Sequence, residues 1–327
     1  MSEQTVIEAV RGAMFAEMRR DDNVIVLGED VGKRGGVFLA TDGLLEEFGE
    51  SRVIDTPLAE SSICGIALGA AVNGMRPVAE IQFADFVWPA INQLVGEASK
   101  VRYGTNGAKT APMTVRVPYG GGVRGGLYHS QSIEVLFAHT PGLSVVAPAT
   151  PYDAKGLLVS AIRSNDPVIV LEHKRTYRLV KGDVPDENFS IPIGKAEIKR
   201  PGSDLSIFTY GLMLHYCLQA AEMAYESGID VEVIDLRTLR PLDTDAITES
   251  ASRTGKVLIV QEDTPAVSVS SEVSAVIGER CFFDLDGPIV RLGPPEIPPM
   301  PFSPLQEAAF MPSPEKIFDV INKLAQI

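Results

Sequence analysis

The sequence predicts an α/β protein built from two doubly wound domains, each a largely parallel sheet covered by helices. Three observations carry this. Short apolar runs alternate with helical patterns along nearly the whole chain. The 327 residues suit two domains of roughly 150 residues each. A stretch rich in prolines and charges, with little periodicity, interrupts the alternation between Val180 and Arg200. The expected division is a first domain over 1–185, a linker over 186–200 and a second domain over 201–327.

In the first domain, Val6, Val10, Met14 and Met18 share one face of an amphipathic helix. Val24–Leu27 is a buried strand that runs into Gly28-Glu29-Asp30 and a glycine-rich loop through Gly36. Thr41 is expected to cap a short helix to Phe48, with Gly49 past its end. Val53-Ile54 is a brief strand stopped by Pro57. Ser61 can cap a helix to about Val72, ended by Asn73-Gly74. A strand over Val78–Phe83, a helix from Pro89 to Tyr103 and a strand over Met113–Val117 follow. The loop from Pro118 to Ser132 holds Gly120, Gly121, Gly122, Gly125 and Gly126. The strand Ser144–Ala147, a helix from Thr150-Pro151 to Arg163 and the strand Val168–Leu171 complete the domain.

The second domain repeats the alternation. Strands are predicted over Leu205–Thr209, Val231–Ile234, Val257–Val260 and Ile289–Arg291. Helices are predicted over Leu212–Ser227, Asp243–Arg253 and Ser271–Arg280. A proline-rich stretch from Pro294 to Pro304 precedes a last amphipathic helix from Ser313 to about Leu324.

Composition narrows the function. Hydrophobic residues make up 45% and charged residues 22%, as in a globular protein. The net charge of −14 argues against a general nucleic-acid or anionic-membrane binder, which needs a basic face. No apolar run approaches the ~20 residues that span a bilayer. The start, MSEQTVIEAV, resembles neither a secretory signal nor a transit peptide, so a cytoplasmic protein is expected. Cys64, Cys217 and Cys281 form no C-x-x-C pair and suit a reducing compartment.

Four features bear on chemistry. The loop GEDVGKRGG lacks the spacing and the Ser or Thr of a nucleotide-phosphate loop. Glu29, however, sits just past a strand's carboxyl end, where ligands of parallel sheets gather. Glu60 stands at the mouth of a helix that is apolar nearly all round, Ile63 to Val72. It either complements the helix dipole or, partly desolvated, shares a proton with a ring nitrogen. His129 lies on the glycine-rich loop, and a histidine there is suited to proton exchange at cellular pH. Gln82 offers a polar contact near a strand end in the aromatic run EIQFADFVW, which is either core or the wall of a pocket. No H-E-x-x-H or comparable metal-ligand spacing occurs.

Taken in order, GEDVG at Gly28, GGVFLATDGL at Gly35, DTPLAES at Asp55, RPVAEIQFADF at Arg76, YHSQS at Tyr128, HTPGLSVVAPATPYDAKGLL at His139 and VIDLRTLRPLD at Val233 span both domains. They resemble the beta subunit of the thiamine-diphosphate-dependent first component of 2-oxoacid dehydrogenase complexes. The resemblance is nearest to the branched-chain (2-oxoisovalerate) type, with pyruvate and acetoin dehydrogenase beta subunits as alternatives.

It implies a pyrimidine-binding domain followed by a transketolase-type C-terminal domain. It implies that Glu60 hydrogen-bonds N1′ of the cofactor's aminopyrimidine and promotes the imino tautomer whose N4′ removes the C2 proton. Glu29, Leu58, Ala59, Gln82 and Phe86 match further cofactor contacts. Phe83, Phe86, Tyr128, His129 and Gln131 match the substrate side, with His129 also implicated in acyl transfer to the lipoyl group.

The resemblance extends to partners. The family holds the cofactor's diphosphate through Mg2+ and a Gly-Asp-Gly motif, and no Gly-Asp-Gly occurs in this chain. An alpha chain is therefore implied, in an assembly of two alpha and two beta chains that serves a lipoyl-bearing acyltransferase core. A structural K+ near Ala161, Ser164 and Asp166 is a further family feature, although the acidic ligand falls at Asp166 and not at Ser164. Two other readings stand beside this one. A fragment of a single-chain transketolase or deoxyxylulose-phosphate synthase fits a 327-residue chain without Gly-Asp-Gly poorly, and a non-catalytic subunit reusing the fold is at odds with Glu60 and His129 both being present.

Overall fold

The structure is a computed structural model that describes residues 1–298 and 300–327. Position 299, inside the proline-rich stretch, lies outside the described residues. The chain divides into two compact units. One comprises 1–119 and 136–193, the other 120–135 and 194–327. The loop 120–135, expected within the first domain, thus groups with the second. Of the stretch expected as a linker, 186–193 belongs to the first unit, and Ile191 is buried there against Gly156.

The strands in chain order are β1 (Ser2–Thr5), β2 (Val24–Gly28), β3 (Val53–Asp55), β4 (Arg76–Glu80), β5 (Thr114–Tyr119), β6 (Ser144–Val146), β7 (Val168–His173) and β8 (Lys181–Val184). The second unit adds β9 (Glu197–Arg200), β10 (Leu205–Thr209), β11 (Val231–Asp235), β12 (Thr238–Arg240), β13 (Val257–Val260) and β14 (Val290–Leu292).

In the first unit, six strands run parallel in the order β6-β7-β5-β4-β2-β3. Strands β2, β5 and β7 are buried along their whole length, as a sheet covered on both faces requires. The helix Val6–Arg20 packs on this sheet through Val6, Val10, Met14 and Met18, all fully buried. Thr5 and Glu8 form a capping box at its start. Its neighbour Pro151–Arg163 is capped by Thr150, as the sequence predicts.

Two predicted caps do not form. The Thr41 hydroxyl donates to the Val31 carbonyl at 2.6 Å, and the short helix begins at Leu44 after a left-handed Gly43. The next helix begins at Glu60 and not after Ser61. The segment predicted as a helix over Pro89–Tyr103 is irregular, passing through 3₁₀ turns and a π-helical segment, Asn92–Glu97, to a last α-helical turn at Val101–Gly104. The short strands β1, β8, β9 and β12 have no clear periodic signal. β1 and β8 exist through pairing with each other.

In the second unit the order is β14-β13-β10-β11-β9, with β9 antiparallel at one edge and the rest parallel. Its helices Leu212–Glu226, Thr244–Thr254, Val269–Arg280 and Pro314–Ala325 fall close to the predicted spans. The helix Pro304–Phe310, unpredicted, follows the proline-rich stretch.

Candidate active site

The chain leaves β2 for β3 on one side and leaves β4 for β5 on the other, while β2 and β4 are neighbours. This is a topological switch point, and a doubly wound sheet binds ligands in the crevice beyond the carboxyl ends of such strands. Glu29 follows β2, Thr56 follows β3, and Gln82 lies two residues past β4. The Gln82 side-chain amide donates to the Glu29 carbonyl at 3.2 Å, which bridges the crevice.

Glu60 is the first residue of the helix Glu60–Val72 and is half-buried. The residue before it, Ala59, provides no side-chain cap, so the free amides and the positive end of the dipole favour a carboxylate here. Burial, and then the charges of Asp30 and Glu60, push the Glu29 carboxyl up from its ordinary range. One turn into the helix the Cys64 thiol is pushed up to about 12 by burial and then by Glu60, so it is an inert thiol. Glu29 and Glu60 therefore feel each other's charge across the crevice.

The Thr56 hydroxyl is buried and has no partner, although its backbone amide donates to Gly28. A buried hydroxyl left unmatched costs about 1–3 kcal/mol, which a polar ligand group would recover.

Aromatic side chains wall the same end of the sheet. Phe83 and Phe86 meet edge to face at 5.7 Å, and Phe38 meets Phe83 at 5.5 Å. The buried Lys174 places its ammonium 5.7 Å from the Phe83 ring centre, an arrangement favoured by the ring quadrupole. Neither Phe38, inside the GGVFLATDGL segment, nor Lys174 is marked by periodicity as a site residue, because only tertiary packing brings them here. Leu58 is 69% exposed, and Ile66 and Trp88 are also exposed. The first unit thus brings Glu29, Gln82 and Glu60 together, with Phe83 and Phe86 after β4 and with Leu58 and Ala59 at the crevice's outer margin.

Tyr128, His129 and Gln131 lie on the loop 120–135. Tyr128 is 67% exposed and His129 is half-buried. Gly120, Gly122, Arg124 and Gly126 all have left-handed backbone, φ 83°, 74°, 59° and 63°. A left-handed φ at these positions favours glycine. A Cβ at Gly125 would lie 2.5 Å from the His129 carbonyl, so that glycine allows the loop to fold back on its own histidine.

At the loop's end Glu134 is fully buried. The Tyr210 hydroxyl donates to one of its oxygens at 2.8 Å, and the other oxygen has no partner. Burial, and then Asp263, push the Glu134 carboxyl up to about 8, and Asp263 itself rises to about 6. Between the ordinary value near 4.5 and about 8, the folded chain keeps a proton on Glu134 that the unfolded chain releases. Stability from this group therefore falls as pH rises through that window. Glu134→Gln is expected to flatten the fall in melting temperature between about pH 6 and pH 8, a window that lies above the Asp263 midpoint of about 6. A melting curve series in which the variant and parent fall in parallel would contradict this.

Near Asp166, the Arg76 guanidinium donates to the carbonyls of Ile162 and Ser164 at 3.0 and 2.8 Å, and Arg102 pairs with Asp166 at 2.6 Å. The Ala161 carbonyl accepts from the Ser164 amide. Arginine already supplies positive charge at this corner, and a monovalent cation would compete with it. Among the described residues no group of three or more His, Cys, Asp or Glu is placed to hold a metal ion. No described helix is long and apolar enough to cross a membrane.

The fold and site define a protein of the transketolase type. Residues 2–180 match the transketolase pyrimidine binding domain, and residues 194–317 match the transketolase C-terminal domain. A split-gene transketolase, described as an inactive beta4 tetramer, has a similar fold, with a TM-score of 0.78, 22% identity and 98% of each chain covered. The 2-oxoisovalerate dehydrogenase subunit beta of Bacillus subtilis is 57% identical over 326 residues, all of both chains. The pyruvate dehydrogenase E1 component subunit beta of the same organism is 47% identical over 326 residues, again all of both chains. That of Staphylococcus aureus is 48% identical over 292 residues, 89% of this chain and 90% of its own. The chain belongs to the beta subunits of the 2-oxoacid dehydrogenases.

Proposed function

We propose that this chain supplies the pyrimidine half of a thiamine-diphosphate site in a branched-chain 2-oxoacid dehydrogenase, and that it acts only with an alpha chain. The observation that carries this reading is the switch-point crevice of the first unit. There Glu60 heads an apolar helix beside the Glu29–Gln82 bridge, with an unmatched Thr56 hydroxyl and an aromatic wall. That donor set fits an aminopyrimidine, which needs one carboxylate at a ring nitrogen, further polar contacts and flat apolar faces.

Bound thiamine diphosphate supplies the nucleophilic carbon and the electron sink for decarboxylating a 2-oxoacid. The chain's residues orient that group and handle protons. Glu60 holds a proton at the pyrimidine nitrogen; partial burial at a helix start places the carboxylate where water competes poorly for it. Glu29, Gln82, Leu58 and Ala59 fix the ring's position. Phe83 and Phe86 cover its face and exclude water from the substrate. His129, with Tyr128 and Gln131 on its loop, takes the substrate side and moves the proton that accompanies acyl transfer to a lipoyl group.

The chain contains no Gly-Asp-Gly. In this reading the alpha chain holds Mg2+ and the diphosphate, and two alpha and two beta chains assemble to serve a lipoyl-bearing acyltransferase. Exposed Leu58, Ile66 and Trp88 supply apolar surface for that assembly. A potassium ion near Asp166 would have to compete with the Arg76 guanidinium for the Ser164 carbonyl.

The substrate class is tested by kcat/KM of the chain coexpressed with its alpha partner. The 2-oxoacids 2-oxoisovalerate and 4-methyl-2-oxopentanoate are expected to exceed pyruvate by about tenfold or more, since each methylene in an apolar pocket is worth roughly 1–3 kcal/mol. Preference for pyruvate would overturn the branched-chain assignment and favour the second reading, a pyruvate dehydrogenase subunit, which the 47% identical relative supports.

A further inference from the structure

The second unit has a switch point of its own. The chain leaves β10 for β11 on one side and leaves β13 for β14 on the other, while β10 and β13 are neighbours. By the same rule that places a ligand in the first unit, the carboxyl ends of β10 and β13 should hold one. What they hold is the chain's own loop. Tyr210, one residue past β10, donates to Glu134 at 2.8 Å. Glu262, two residues past β13 and buried, accepts from the Gly121 amide at 2.5 Å.

A third grip comes from the helix Pro304–Phe310. Buried Glu307 accepts from the amides of both Gly122 and Arg124 with the same oxygen, at 3.1 and 3.0 Å. The left-handed residues at 120, 122, 124 and 126 make a backbone concavity of the kind that binds anions, and the carboxylate of Glu307 fills it. Packing closes the remaining space: a Cβ on Gly121 would collide with the Met300 sulfur, and one on Gly126 would lie 2.9 Å from the Phe302 ring.

We propose that the second unit is a clamp for the His129 loop, with Glu262 and Glu307 as positioning residues that act through the backbone amides of Gly121, Gly122 and Arg124. Two carboxylates and three amides fix the loop's entry, and the Tyr210–Glu134 pair fixes its exit. His129 lies between them. The consequence for catalysis rests on the reading of His129 as the group that handles acyl transfer; the clamp itself does not.

The test is hydrogen–deuterium exchange by mass spectrometry on the assembled alpha–beta enzyme, followed over a peptide spanning 120–127. Glu307→Ala is expected to speed exchange there tenfold or more while β10 and β13 keep parental protection. Glu307→Gln, whose amide oxygen still accepts hydrogen bonds, should fall between parent and Ala. That variant also keeps the test alive if the Ala variant does not assemble. Acyl transfer to a lipoyl domain should fall tenfold or more in Glu307→Ala, with decarboxylation of 2-oxoacid to an artificial electron acceptor less affected.

Unchanged exchange in both Glu307 variants overturns the clamp. Faster exchange with parental acyl transfer overturns its catalytic consequence, provided that His129→Ala loses transfer. If His129→Ala also transfers at the parental rate, the role given to His129 fails, while the faster exchange still supports the clamp.

Discussion

Replacing Glu60 with Gln is expected to leave the assembled enzyme folded and to slow 2-oxoacid decarboxylation by about 100-fold or more, the range for loss of a positioned acid–base group. The amide is nearly isosteric and keeps a hydrogen-bond acceptor at the start of the helix Glu60–Val72, but it carries no charge and cannot share the ring proton. The helix itself should tolerate the change, because Ile63, Cys64, Ala67 and Ala71 anchor it. Loss of the carboxylate's favourable contact with the helix dipole costs about 0.3–1 kcal/mol. A variant with parental turnover would reduce Glu60 to a helix-end charge. A variant that fails to assemble would show that its role is structural.

Arg116→Met is expected to have the largest effect on stability, about 3–5 kcal/mol, as when one partner of a buried ion network is removed. Arg116 is fully buried on β5, between β4 and β7. It makes a two-pronged contact with Glu172 at 2.8 and 2.7 Å and reaches Glu80 at 2.5 Å. The Tyr177 hydroxyl donates to Glu172 at 2.5 Å. Burial pushes the Glu80 carboxyl up and the Arg116 guanidinium pulls it back down, so the arginine offsets part of the cost of burying that acid. Without it, Glu172 loses its two-pronged partner and Glu80, already pushed up by burial, must bind a proton to stay inside, so the loss should deepen as pH rises. A denaturant midpoint shift worth under about 1 kcal/mol would contradict this account. Because Glu80 directly precedes Ile81-Gln82, the network also fixes the strand end from which Gln82 reaches Glu29.

The sequence made much of this legible, and the limits are physical. Strands such as Val24–Gly28 and Val257–Val260 are continuous apolar runs, which in this pattern signal strands buried on both faces. Glu29 and Glu60 were detectable because their places follow from local order along the chain, at a strand end and a helix start. The grouping of Glu29 with Gln82 was not readable from periodicity, since 53 residues separate them and only the strand order makes β2 and β4 neighbours. Thr41 is a good N-cap by type, yet its hydroxyl serves the Val31 carbonyl instead. The partners of the His129 loop were invisible for the same reason. Glu262 and Glu307 lie 141 and 185 residues from the amides of Gly121 and Gly122 that they accept from, and an isolated glutamate in sequence reads as a solvated surface charge.

In the proposed site, Glu60 activates a cofactor that this chain holds only together with an alpha partner. The most direct measurement is hydrogen–deuterium exchange at C2 of thiamine diphosphate, made in the isolated chain, in the assembled enzyme and in the assembled Glu60→Gln variant. Exchange should be fast in the assembled enzyme alone, slowing by about 100-fold or more in the variant and falling to the rate of free cofactor in the isolated chain. Exchange at the parental rate in assembled Glu60→Gln, or accelerated exchange in the isolated chain, would contradict that reading of the site.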